Sequence, residues 1–176
     1  LEVGAAIDQA EQNGATPLYL ACQRGRLDIA RLLLEAGAAP NQAKDDGTTP
    51  LYIACQNNHL EIARLLLEAG AAVNQATDDG TMPLCVACQN GHLECVRLLL
   101  EAGAAIDQAD EQGATPLFAA CQDGHLEVAK LLSSYGASRA VVPRFGTPEE
   151  IANSAGHADL AAWMVASRGW TPLAHL

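Results

Sequence analysis

An all-α solenoid, a stack of short helix pairs, is the fold this sequence predicts, and three observations predict it. Prolines recur at Pro17, Pro50, Pro83 and Pro116, 33 residues apart. Glycines keep the same period in two series, Gly14, Gly47, Gly80, Gly113 and Gly37, Gly70, Gly103, Gly136. Each period holds a short run that starts at the proline and a second run with apolar residues at helical spacing. Self-similarity at a period of this size marks a stacked array, in which each unit relies on its neighbours to cover its apolar faces.

The units follow in order along the chain. Residues 1–10 match the tail of a unit, with Leu1, Glu2 and Gly4 in the places of Leu34, Glu35 and Gly37. Full units span 11–43, 44–76, 77–109 and 110–142, and 143–169 form a shorter, degenerate fifth. Residues 1–169 therefore read as one domain.

The unit 44–76 shows the local logic. Asp45-Asp46-Gly47 is a turn whose glycine can take positive φ. Thr49 then Pro50 reads as an N-cap followed by proline at the first helical position, and Leu51 to Gln56 continue that helix. Asn57-Asn58 breaks it, where the next two units carry Gly91 and Gly124. A second helix runs from Leu60 to Glu68, with Leu60, Ala63, Leu66 and Leu67 as its buried stripe. Gly70 ends it, and Ala71 to Gln75 extend into the next turn. Neither helix is long enough to stand alone, so stacking must hold both.

The last unit departs from the pattern. Thr147-Pro148-Glu149-Glu150 starts a helix with a capping box. Gly156 to Ala161 echo Gly124 to Ala129, and Trp163 and Met164 replace leucines. This unit is expected to act as a C-terminal cap. Residues 170–176, beginning Trp170-Thr171-Pro172-Leu173, resemble the start of yet another unit. The chain reads as a piece of a longer array or as an engineered one.

The run Gly-Thr-Thr-Pro-Leu-Tyr-Ile-Ala-Cys-Gln, followed by Asn-His-Leu-Glu-Ile-Ala-Arg-Leu-Leu-Leu-Glu-Ala-Gly-Ala, resembles an ankyrin repeat. The resemblance covers residues 1–169 with four copies in register. It implies antiparallel helix pairs, protruding β-hairpin tips, and a concave face made by the tips and the first helices. It also implies protein binding without catalysis. There are departures. The family commonly has His where this chain has Tyr19, Tyr52, Cys85 and Phe118. The second Ala of the family pattern is Cys22, Cys55, Cys88 and Cys121. The family arm Gly-Ala-Asp-Val-Asn here begins Gly-Ala-Ala. Such arms are a known class of asparagine-hydroxylation substrate, with Asn41 and Asn74 at the matching place. Without the acidic residue two positions before, Asn74 is expected to be at best a weak substrate, and Asn41, which follows Pro40, none.

Composition narrows the function. The chain has 176 residues, 10 basic and 21 acidic, for a net charge of −11. That charge repels phosphates, so neither nucleic acid nor an anionic membrane surface is the expected partner. No apolar run approaches the roughly 18 residues of a membrane span, and the first residues lack the pattern of a signal peptide. Hydrophobic residues make up 49% but aromatics only 4%, so the core is aliphatic. Four of the six cysteines mark the repeated position, which reads as buried thiols in a reducing, intracellular and cytoplasmic setting rather than as a disulfide framework.

Three constellations could carry chemistry. Cys85, Cys88, His92 and Cys95 are metal-ligand types at plausible spacing. Yet Cys88 and His92 occupy positions held by Cys55 and His59, and by Cys121 and His125, and Cys85 and Cys95 replace apolar residues. Core packing accounts for all four, and no metal or cofactor is expected. His59, His92 and His125 start second helices, where hydrogen bonding to the backbone of the neighbouring turn explains them. No nucleophile with an acid partner recurs beside them, so no catalytic residue and no enzyme activity are expected. The pairs Asp45-Asp46 and Asp78-Asp79 are too few oxygen ligands for calcium and suit solvated turns. Glu61, Arg64 and Glu68, with their counterparts Asp28, Arg31, Glu35 and Glu94, Arg97, Glu101, form exposed ladders along the second helices.

The expected function is a monomeric, non-enzymatic scaffold that binds another protein bearing a basic patch. The contact surface implied by the resemblance is Gln12, Asn13, Gln23 and Arg24 in the first full unit, then Asp45, Asp46, Thr48, Gln56 and Asn57. It continues with Asp78, Asp79, Thr81, Gln89 and Asn90, then Glu111, Gln112, Gln122 and Asp123. The alternatives are a purely structural array, suggested by the uniform Gln23, Gln56, Gln89, Gln122 row, and a regulatory segment of a larger enzyme or channel.

Overall fold

The computed structural model describes residues 7–169. The partial unit's Leu1, Glu2, Val3 and Gly4, and the tail 170–176, lie outside the described residues. Ten helices follow one another: α1 Pro17–Gln23, α2 Leu27–Glu35, α3 Pro50–Gln56, α4 Leu60–Glu68, α5 Pro83–Gln89, α6 Leu93–Glu101, α7 Pro116–Gln122, α8 Leu126–Ser134, α9 Pro148–Ser154 and α10 Ala158–Ala166. Turns of three residues join the two helices of each pair, and connections that short fold the second helix back antiparallel to the first.

Each helix forms for reasons local to its unit. Thr16, Thr49 and Thr115 cap α1, α3 and α7 by accepting the N–H of Tyr19, Tyr52 and Phe118 at 3.1–3.2 Å. Met82 stands at that place before α5 and makes no side-chain cap. It is fully buried instead, so the third unit exchanges a capping bond for apolar packing. Gly25, Gly91 and Gly124 supply positive φ between the helices, and Asn58 takes the same left-handed conformation at φ 57°. Asn is among the side chains that tolerate it.

Stacking places the core between units. First helices pack in a row, α1 on α3 on α5 on α7 on α9, and second helices in a parallel row, α2 on α4 on α6 on α8. The first helices approach more closely than the second. Their facing residues are small: Ala21-Cys22, Ala54-Cys55, Ala87-Cys88 and Ala120-Cys121 are all buried. Closer spacing on one side curves the array towards the first helices. Leu18, Leu51, Leu84 and Leu117 on first helices, with Leu66, Leu99 and Leu132 on second, fill the interior.

The tips are turns rather than the paired strands that the resemblance implies. Each closes on itself, Lys44 N–H to Thr48 O and Thr77 N–H to Thr81 O, both at 3.0 Å. Each then donates one backbone bond to the tip before it: Asp45 N–H to Asn13 O at 3.2 Å, Asp78 N–H to Asp46 O at 3.1 Å, Glu111 N–H to Asp79 O at 3.2 Å. Gly47 makes this approach possible. It sits at φ +79°, and a Cβ there would lie 2.8 Å from the Asp78 nitrogen. The fifth tip closes as a single bridge between Val142 and Gly146.

The two ends of the described stack differ. The fifth unit carries the predicted capping box of Thr147 and Glu150. Its α9 shows Glu149, Glu150 and Asn153 where α3 shows Leu51, Tyr52 and Cys55, a polar outer row that suits a terminal unit. At the other end Ile29 is 50% exposed, whereas Ile62, at the same place one unit later, is 2% exposed.

Candidate functional site

The tips and the C-terminal ends of the first helices line one side of the array. Gln12, Asn13, Gln23, Arg24, Asp45, Asp46, Gln56, Asn57, Asp78, Asp79, Gln89, Asn90, Glu111, Gln112, Gln122 and Asp123 are exposed there, and Thr48 and Thr81 are half-buried. Some of these serve the fold. Asn57 Nδ2 donates to Gln23 O at 3.1 Å, tying two units together. Asn90 Nδ2 donates to Val86 O at 2.8 Å within its own helix.

Two hollows gather Asp46, Thr48, Asp78, Asp79, Thr81, Gln89, Gln112 and Gln122. The first, about 290 Å³, lies between the second and third tips, with Asp46, Thr48, Thr77, Asp78 and Asp79 around the ring of Tyr52. The second, about 300 Å³, runs between the third and fourth units. Asp79, Asp110 and Gln112 are its tip side, Gln89 and Gln122 its helix side, and Cys85, Phe118 and Phe145 its apolar lining. It exists because Cys85 is small where Tyr19 and Tyr52 stand in the earlier units. Phe145 of the fifth tip packs against Phe118 in a tilted arrangement, ring centroids 4.8 Å apart. Gln12, Asn13, Gln23, Arg24, Asp45, Gln56, Asn57, Asn90, Glu111 and Asp123 line neither hollow. Sequence reasoning marked Tyr52, Cys85 and Phe118 as departures from the family's usual His rather than as site residues, and passed over Phe145. The signal was available, because Tyr19, Tyr52, Cys85 and Phe118, three residues after the cap, vary where the family usually keeps His.

The electrostatics of the tips are local. The Lys44 ammonium, 2.8 Å from Asp46, and the Thr48 side chain hold the Asp46 carboxyl down at about 2. The Thr77 hydroxyl and the Thr81 N–H hold Asp79 below the usual carboxylate range. Burial pushes the Tyr52 hydroxyl up to about 12, helped by the negative charge of Asp79 and Asp46 nearby.

The cysteine and histidine constellations resolve into packing. All six cysteines are free thiols and buried. Cys95 turns towards the preceding unit, where it donates to Asn58 Oδ1 at 3.5 Å and accepts from Cys55. The His92 ring is engaged with Gln56 O at 3.0 Å. Among the described residues no group of three His, Cys, Asp or Glu side chains is placed to hold a metal ion. The ladders on the second helices pair Glu61 with Arg64, Glu94 with Arg97 and Glu127 with Lys130, all solvent-exposed and worth little individually.

Against known families, the one described as ankyrin repeats (3 copies) matches residues 1–77 and again residues 70–141. The chain belongs to the ankyrin-repeat family. The paired helices, the 33-residue period and the tip ladder are the ankyrin architecture as this sequence builds it. Ankyrin repeats are in general protein–protein interaction modules and typically non-enzymatic. No curated protein matches the chain. No helix among the described residues of this ankyrin array is long and apolar enough to cross a membrane.

Proposed function

We propose that this chain is a monomeric, non-enzymatic scaffold, with 1–169 as one domain, that binds another protein through its tips and concave first-helix face. The observation that carries the reading is the composition of the two hollows. Asp46, Asp78 and Asp79 line one, Asp79 and Asp110 the other, and no Lys or Arg lines either. Aromatic rings sit in both. A partner that fits presents a basic patch, and long-range attraction to a chain of net charge −11 accelerates their encounter. Six free, buried thiols suit a reducing, cytoplasmic setting.

The test is capture with the intact array beside a variant in which Asp45, Asp46, Asp78 and Asp79 are all changed to Asn. A partner retained by the first and lost by the second supports the reading, together with an association rate that falls as salt rises. Equal capture by both, with a rate flat in salt, overturns it. If nothing is captured by either, the purely structural alternative gains the ground.

A further inference from the structure

The array contains its own example of what its tip hollows hold. In the first interval the Lys44 ammonium lies over the Tyr19 ring, 5.5 Å from its centroid, and donates to Asp46 Oδ2 at 2.8 Å. Asp46 Oδ1 is occupied by the Thr48 N–H at 2.9 Å. One period later the ring and the carboxylate recur as Tyr52 and Asp79. The carboxylate is set in the same way, its Oδ1 accepting the Thr81 N–H at 3.1 Å. The cation does not recur. Thr77 stands in the place of Lys44, and its short hydroxyl donates to the same Oδ1 at 2.5 Å. Thr77 cannot reach across the ring, and the space left is the hollow of about 290 Å³ around Tyr52.

From this we infer that the Tyr52–Asp79 hollow is a docking site for one basic side chain, Lys or Arg, of the bound protein. It takes the position over the ring and against Asp79 Oδ2 that Lys44 takes one unit earlier. A cation over an aromatic face is attracted by the ring quadrupole, and an ionised acceptor strengthens the hydrogen bond. Asp78, which also lines the hollow, adds to the field, whereas Asp46 is already paired with Lys44. The next interval lacks this arrangement, because Cys85 replaces the ring and Gln112 the carboxylate. The site is therefore singular among the described residues and fixes the register of a bound segment. This inference rests on the reading of the concave face as a protein-binding surface.

Two experiments test it. The first is internal. Thr77→Lys returns an ammonium to the vacant position, and its ε-protons should move upfield in the ring current of Tyr52. Adding Tyr52→Leu should abolish that shift, and Tyr52→Phe should keep it. An unshifted ammonium in Thr77→Lys overturns the inference whatever the array binds. The second uses a fluorescent hexalysine peptide at low salt. Thr77→Lys and Asp79→Asn should each weaken binding roughly three- to fivefold, whereas Ala102→Lys, with the same charge change as Thr77→Lys at the exposed C-terminal end of the second helix α6, should leave it nearly unchanged. Equal losses in Thr77→Lys and Ala102→Lys overturn the specific site and leave the broader reading standing. Peptide shifts confined to the second-helix back overturn both.

Discussion

His92 Nε2 lies 3.0 Å from the carbonyl oxygen of Gln56, the last residue of the first helix one unit earlier. His125 stands in the same relation to Gln89 at 2.9 Å, and His157 to Gln122 at 3.0 Å. These rings pin each unit to its predecessor, and a glycine makes room for the next ring. A Cβ on Gly124, which sits at φ +78°, would lie 2.4 Å from His157 Nδ1. Gly124→Ala is therefore expected to cost about 1–3 kcal/mol, part backbone strain and part clash. His157→Ala removes the clash partner, so the double variant should be less destabilised than the sum of the singles. Urea unfolding of the four proteins checks this, and strict additivity would mean that ring and glycine do not meet.

The Lys44–Asp46 pair gives a pH prediction. Asp46 has its carboxyl held at about 2, below the ordinary 3.8. A lowered folded-state value means that the folded state favours the ionised form. Its contribution to stability is present above the ordinary value and is lost as pH falls towards about 2. The Asp46 side chain is 55% exposed, so solvent screens the pair and the effect is small. Lys44→Met should move the Asp46 midpoint upward in an NMR titration. An unmoved midpoint would assign the shift to Thr48 instead.

The thiols should be slow to react. Burial pushes Cys22 and Cys121 up to about 12 and Cys85 up to about 11, and Cys88 also stands well above its ordinary value. Cys55, which donates to Cys95, is raised, and Cys95, which accepts, is lowered. Since the thiolate is the reactive form and all six are buried, a thiol reagent at pH 7 should label the native protein only as fast as it opens. In denaturant it should label all six promptly. Prompt native labelling at any of them would contradict this packing.

What the sequence revealed, and what it hid, divides along physical lines. Periodic punctuation by Pro17, Pro50, Pro83 and Pro116, with the glycines, sets helix starts and stops locally, and the bounds of α3 and α4 follow from it directly. Relations between units were less legible because they join atoms about 31–36 residues apart. The arm residues show this. Asp8, Asn41, Asn74 and Asp107 each accept a backbone N–H one unit later, from Ala39, Ala72, Ala105 and Ser138. Read in sequence, Asn74 is at best a weak modification substrate and Asn41 none; in space both are latches, and the exchange of Asn for Asp preserves the acceptor. The hollows were hidden for the same reason. Tyr52, Asp79 and Thr77 share one only because successive tips are joined by the bond from Asp78 to Asp46.

The burial gradient along the second helices leads to the last prediction. Leu33, Leu66 and Leu99 hold equivalent places, yet Leu33 is 7% exposed while the other two are 0%. The difference comes from the side facing the preceding unit, where Ile29 and Leu32 of α2 are exposed and Ile62 of α4 and Cys95 of α6 are buried. In a stacked array an interior unit is held on two faces, so deleting methyl groups there leaves a cavity that neighbours cannot collapse around. Leu66→Ala and Leu99→Ala should each cost about 2–5 kcal/mol. Leu33→Ala should cost less, because fewer neighbouring atoms are lost and the open side can relax. The same asymmetry acts on the backbone. Amides of 11–43 should exchange with deuterium faster than those of 77–109, since Ile29 and Leu32 of α2 are exposed where Cys95 of α6 is buried. Protection that is uniform from the first unit to the third, with equal losses for Leu33→Ala and Leu66→Ala, would mean that the exposed face of α2 is covered in solution.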